Sequence, residues 1–213
     1  MLNKQLLGYL SIKGEVGEGA DPAAVSQTEG DSGGWSYGLY QLASNVGSVQ
    51  NFLEWLQQQP EPWANYGRVL AAAGDPTCEQ SFADKWAEIG TVDPIGFGQL
   101  QDAYAKTQYY DAAAQTLLDE YGFDIEPRSL ALKQVLFSNA VQHGPVTGAE
   151  AFYDGAQLYG ANLNDMPDHE IIWNVYEVKI EDPAWTSGAP SCRPGLYARW
   201  ERERDEAIEL LGG

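Results

Sequence analysis

Carboxylates are the plentiful reactive groups of this sequence, with 31 Asp and Glu against 12 Lys and Arg and two His. Glu15 and Glu18 sit in a glycine-rich run, and Glu29 and Asp31 stand just before the aromatic stretch WSYGLYQL that ends at Leu42. Such groups can break a glycosidic bond: one carboxylic acid protonates the leaving oxygen while a second carboxylate activates water or attacks the sugar. The competing reading is four solvated loop carboxylates in an acidic protein. Other chemistries have less to work with. His143 and His169 lie in separate segments, neither beside a nucleophile motif, and HExxH and GxxxxGK[ST] patterns are absent. Cys78 and Cys192, 114 positions apart, cannot build a four-Cys zinc site; they leave one long-range disulfide or two free buried thiols. No metal and no cofactor is expected.

Positioning two such carboxylates requires a helix end and a rigid turn. Leu6, Leu7 and Leu10 recur at helical spacing from Leu2 to about Lys13, and Gly14, Gly17 and Gly19 are expected to end that helix, with Glu15 at its terminus. Trp35, Tyr37 and Leu39 alternate behind Gly33 and Gly34, the pattern of a short β-hairpin or bent strand pair. Punctuated helices are expected at 48–59, 63–73, 78–89, 99–120, 129–143, 148–159, 168–180 and 196–211. The segment 129–143 is apolar on more than one face, which predicts the central buried helix. Trp63, Trp86 and Trp173 read as core. With no repeat and no interior linker, residues 1–213 read as a single, mainly α domain with a small β-hairpin, α+β in class.

Charge and hydropathy narrow the partners. A net charge of −19 repels phosphate backbones, so nucleic acid is not expected. No apolar run reaches about 18 residues, and Met1 to Gly14 lacks the pattern of a secretory signal, so neither a membrane span nor self-directed export is expected.

The stretch DSGGWSYGLYQL from Asp31 to Leu42 resembles the hairpin of lysozyme-superfamily glycoside hydrolases. It is similar to the hairpin of phage endolysin and type VI secretion lysozyme-like domains from Gly30 to Leu42. More distantly it resembles the DGRGYTxG motif of glycoside hydrolase family 46 chitosanases at Asp31, Gly34, Trp35, Ser36 and Gly38. The segment FSNAVQHGP from Phe137 resembles the VxHG patch of the same families, and RPGLYARWERE from Arg193 their Arg-rich terminal helix. Glu15, in the context EVG, stands 16 positions before Asp31, and Glu18 stands 13 before it. Val16 departs from the usual serine, and both glutamates stay open as the acid.

The resemblance implies a lysozyme-like fold whose hairpin lines the active-site cleft. It also implies an inverting division of labour, with Glu15 as general acid, Asp31 as general base and Ser36 fixing the water. Tyr37, Tyr40, Gln41 and His143 are the expected sugar contacts, the alternative for His143 being a capping or core role. Arg199 and Arg202 either pair with buried acids or form i, i+4 pairs on a surface helix. The implied substrate is the β-1,4 backbone of peptidoglycan, cut by an endolysin or secreted antibacterial effector. Such a protein is made in the cytoplasm and acts in the periplasm or cell wall, and it would answer to an immunity protein, a holin or a secretion or tail component. The alternatives are a chitosanase, for which the acidic surface would attract a cationic polymer, a lytic transglycosylase using Glu15 alone, and an inactive carbohydrate-binding module. A monomer is the default expectation.

Overall fold

The computed structural model describes residues 3–16, 20–27, 33–188 and 190–212; at positions 15 and 16 it describes the backbone alone. Chain contacts divide the protein into two compact units, Glu15–Ala105 and a second built from Met1–Gly14 with Lys106–Gly213.

The first unit holds a three-stranded antiparallel sheet in the order β1 (Val25–Gln27), β2 (Trp35–Tyr37) and β3 (Leu42–Ala43). The expected hairpin is thus one strand larger, because Val25–Gln27, although polar, pairs with β2: Val25 opposite Tyr37, Ser26 opposite Ser36, Gln27 opposite Trp35. Four helices complete the unit: α2 (Ser48–Gln57), α3 (Trp63–Ala73), α4 (Gln80–Val92) and α5 (Pro94–Ala105). Asp93 both ends α4 and caps α5, accepting from the Gly96 N–H at 2.9 Å. The core is aromatic. Tyr37 meets Phe82 edge-on at 5.3 Å and Trp86 at 5.2 Å, and Trp86 continues to Phe97 at 4.9 Å and Phe52 at 5.5 Å. Tilted and edge-to-face geometry of this kind is the favoured arrangement of ring quadrupoles.

In the second unit α7 (Leu130–His143) is the central helix, packed by α8 (Pro145–Gln157), α9 (Asp168–Glu181), α10 (Arg193–Leu211) and α6 (Ala112–Tyr121). Every residue from Gln134 to Ala140 is buried, as its all-round apolar pattern predicted. Ser129 caps α7 by accepting from the Leu132 N–H at 3.2 Å. The stretch expected as one helix from 99 to 120 is instead α5, a π-helical segment Lys106–Asp111 and α6, with the π turn beginning where the chain passes from one unit to the other. The first helix, α1, runs Tyr9–Val16, later than expected, and Gly14 lies within it.

Candidate active site

The C-terminal turn of α1 is built against α10. A Cβ at Gly14 would stand 2.7 Å from Arg199 Nη2, so only glycine lets the guanidinium lie against this turn. The last carbonyls of a helix carry partial negative charge, which a guanidinium at that end complements. Arg199 Nε is 3.8 Å from Oε2 of Glu203, one turn further along α10. Glu203 is buried, and the Ser138 hydroxyl of α7 donates to its carboxylate. Beside them Glu206 accepts from the Tyr9 hydroxyl and, at 2.5 Å, from Lys13 Nζ; these two hydrogen bonds hold its carboxyl below the usual range against the opposing effect of burial. Together Lys13, Gly14, Arg199, Arg202, Glu203 and Glu206 line a cavity of about 180 Å³ at the end of α1. Glu15, the next residue, occupies the penultimate helical position, so the helix end that the sequence predicted for it is where its backbone lies.

The two C-terminal patches singled out in the sequence meet in this unit. Beyond Ser138, Asn139 Oδ1 accepts from Lys179 Nζ at 2.7 Å, and Gln142 Oε1 accepts from both Lys179 Nζ at 3.2 Å and the Trp200 indole at 2.9 Å. The buried Lys179 ammonium also lies 4.4 Å from the centre of the Trp200 ring. Burial pushes its pKa down to about 7, with Glu203 opposing and Arg199 reinforcing that shift. His143 packs edge-on to Trp185 at 5.2 Å and against Trp200 at 6.0 Å. Burial and the charges of Lys179 and Arg199 lower its pKa to about 3, so it is neutral at physiological pH and no general acid there. It borders a cavity of about 350 Å³ with Thr147, Glu150, Asp154, Asp182 and Trp185.

The hairpin residues have different fates. Strand alternation puts Trp35 and Tyr37 on one face of β2 and Ser36 on the other. Tyr37 has no exposed surface; its ring is in the aromatic core and its hydroxyl donates to the Pro76 carbonyl at 2.9 Å. Tyr40 is buried too and donates to Asp102 at 2.9 Å. The expectation that these two rings face a sugar is therefore corrected: both are spent on the core and on buried hydrogen bonds. Gln41, at φ 48°, donates to the Gly38 carbonyl at 3.0 Å and accepts from the Ser26 hydroxyl at 3.1 Å, so its amide clamps the β2–β3 turn. Gly38, at φ 70°, has no room for a side chain, because a Cβ there would collide with Gln101. Gln101 is a buried anchor for the whole loop, accepting from the Leu39 N–H at 2.8 Å and donating to the Pro22 carbonyl at 3.0 Å. Ser36 sits half-buried mid-strand between Ser26 and Ala43. Asp31, Glu18 and Glu29 lie outside the described residues.

Three groups escaped the sequence reading. Glu203 looked like one more acid on a charged helix, yet Trp200, Glu203 and Ala207 share the buried face of α10, and that i, i+3, i+7 spacing was the available signal. Lys179 had no signal beyond the last turn of an apolar helix. Asp102, half-buried and hydrogen-bonded to Tyr40, has its carboxyl pushed up to about 6 by burial. Two further corrections concern Trp173, which is exposed with the Arg204 guanidinium 4.0 Å over its ring, and the cysteines, both free and both exposed.

Among the described residues no helix is long and apolar enough to cross a membrane. The architecture, mainly helical with a small antiparallel sheet, is the lysozyme-like fold of known chitosanases. The native chitosanase of Bacillus subtilis MY002 superposes with a TM-score of 0.64 at 20% identity, over 98% of this chain and 91% of its own. A GH46 chitosanase from Gynuella sunshinyii, solved with chitotetraose, gives 0.62 at 17% identity, over 100% and 90%. At the level of sequence, residues 7–204 match the family of type VI secretion system spike protein VgrG3-like C-terminal domains, and the chain belongs to that family. The type VI secretion system spike protein VgrG3 of Vibrio cholerae serotype O1 is 29% identical over 205 residues, 96% of this chain. The chain spans only 19% of that relative's length.

Proposed function

We propose that this domain is a glycoside hydrolase that cuts the β-1,4 backbone of peptidoglycan as the antibacterial part of a type VI secretion spike. The observation that carries the reading is the family match over residues 7–204, joined to a fold shared with enzymes solved on glucosamine oligomers. The spike would deliver the domain to a periplasm or cell wall, and an immunity protein would protect the producing cell.

Glu15 is the general acid in this reading. The reading rests on its backbone position in the last turn of α1 and on the resemblance of its sequence context. Asp31 takes the proton from water while Glu15 gives one to the leaving oxygen, and Ser36, on the sheet face turned away from the aromatic core, holds that water. His143, neutral and bordering a cavity, is a contact for sugar rather than a proton carrier.

A second reading, a chitosanase, is favoured by one observation: residues 15–105 carry 13 acidic side chains and only Arg68 and Lys85 as bases. Such a field gathers a cationic polymer and repels an anionic one. Incubating the protein separately with sacculi and with chitosan, and weighing the soluble products, decides between them. Hydrated reducing-end muropeptides are expected; anhydro ends would assign a lytic transglycosylase, and glucosamine oligomers alone the chitosanase. Glu15→Gln should lower the rate by at least ~10³-fold with the melting temperature unchanged, and Asp31→Asn by ~10²-fold or more. Full activity in Glu15→Gln moves the acid to Glu18.

A further inference from the structure

The back of the small sheet carries a second feature that catalysis by Glu15, Asp31 and Ser36 leaves unused. Between β1, β2 and α4 lies a groove of about 390 Å³. Its floor is the half-buried indole of Trp35, on the face of β2 opposite Ser36. One wall is the face of α4 formed by Gln80, Ala83, Asp84 and Ala87, at i, i+3, i+4 and i+7, where two alanines leave the width open. Gln27 at the end of β1 completes the rim.

We infer that this groove is a non-catalytic binding site for a β-1,4-linked amino sugar whose 2-amino group is free and protonated. The argument is chemical. An exposed indole face packs the apolar C–H face of a pyranose and attracts a cation, and the Trp35 ring is held in place by stacking on Tyr37, 6.3 Å away at 18°. The Trp35 indole N–H and the Gln27 side-chain amide make no hydrogen bond to a described residue, so both are available to hydroxyls. Gln80 Nε2 donates to Asp84 Oδ1 at 2.8 Å, which fixes the carboxylate along the rim and leaves Oδ2 to receive an ammonium. No Lys or Arg lines the groove, and the unit around it is strongly anionic. A sugar bearing a carboxylate, as muramic acid does, meets repulsion here, and an N-acetyl group offers Asp84 no charge to pair with. The site therefore selects glucosamine over its acetylated and lactylated relatives. It holds a polymer to the domain rather than cutting it, and it stands whether or not Glu15 is the acid.

Titration of isotopically labelled protein, with and without Glu15→Gln, by the glucosamine tetramer and by the N-acetylglucosamine tetramer tests this by NMR. The Trp35 indole N–H and the amides of Gln27, Gln80 and Asp84 should shift together with the glucosamine tetramer. Asp84→Asn should weaken that binding by at least about fivefold while leaving the melting temperature unchanged. Trp35→Phe, which keeps a ring on Tyr37, should weaken it as well. Silence of these four signals at millimolar tetramer overturns the site, and so does an unchanged affinity in Asp84→Asn. Equal shifts with both tetramers overturn its selectivity for the free amine.

Discussion

The two units solve the same packing problem with opposite materials. The sheet-bearing unit closes on touching rings, Tyr37, Phe52, Phe82, Trp86 and Phe97, and its buried polar side chains, such as Gln101, are neutral amides or hydroxyls. The helical unit buries Lys179 and Glu203 outright and surrounds them with Ser138, Asn139, Gln142 and Arg199. Ring packing resists changes of pH and salt. A buried charge network fixes geometry more narrowly, and it makes that geometry depend on every member remaining charged and paired. In this molecule the network lies beside the last turn of α1, and the rings lie under the hairpin.

The contrast can be broken most strongly at Glu203. Glu203→Ala strands Arg199 and leaves Lys179 without its countercharge, and it should cost about 3–5 kcal/mol. Denaturant titration followed by hydrogen exchange should localise the loss to α7, α9 and α10, with the sheet-bearing unit's amides retaining their protection. A loss spread evenly over both units would mean that the network is not a property of one of them.

A smaller effect of opposite sign is expected in the ring-packed unit, where Asp102 is the exception to the rule. Its folded pKa, raised to about 6, exceeds the ordinary 3.8. Well below pH 3.8 the carboxyl is protonated in folded and unfolded chains alike. As pH rises the unfolded chain loses the proton first, so this group's contribution falls through pH 6 and stays low above it. Asp102→Asn keeps an acceptor for the Tyr40 hydroxyl and should stabilise the protein by about 1–2 kcal/mol at pH 7, with no gain at pH 3.5. Thermal melts at the two pH values read it directly.

The smallest shift sharpens the comparison. Lys179→Met leaves Glu203 paired with Arg199 and removes the desolvated ammonium, so at pH 7 its net effect should be within about 1.5 kcal/mol of zero. It should also flatten a slope. With the folded pKa lowered from 10.5 to about 7, the unfolded chain takes up the proton first as pH falls, so wild-type stability declines from about pH 10.5 down to 7. That decline should be weaker in the variant.

How far the sequence reveals this arrangement depends on which physical signal each residue leaves. The segment 129–143, apolar on more than one face, predicted a buried helix because burial on several sides blurs periodicity. Gly33, Gly34 and the alternation behind them predicted the hairpin, but not β1, whose Val-Ser-Gln carries no strand pattern and is held by its register with β2. Alternation puts Trp35 and Tyr37 on one face but cannot say whether that face is inward; the resemblance placed Tyr37 at a sugar, and it lies in the core. Trp173 failed for a related reason, since Arg204 covers an indole that spacing alone would bury. Arg199 stayed open between a buried acid and a solvated bridge because the same i, i+4 spacing serves both, and its partner Glu203 is buried. The candidate set Glu15, Asp31 and Ser36 rests on resemblance alone, because composition leaves its two carboxylates among many others.

The chain holds two thiols, and the structure places one on each unit: Cys78 among residues 15–105, Cys192 just ahead of α10, both at the surface and both unbonded. They are a ready pair of anchors for a fluorescent donor and acceptor on the unaltered sequence. Energy transfer between them would turn any motion of one unit against the other, while a glycan is bound or released, into a ruler read one molecule at a time.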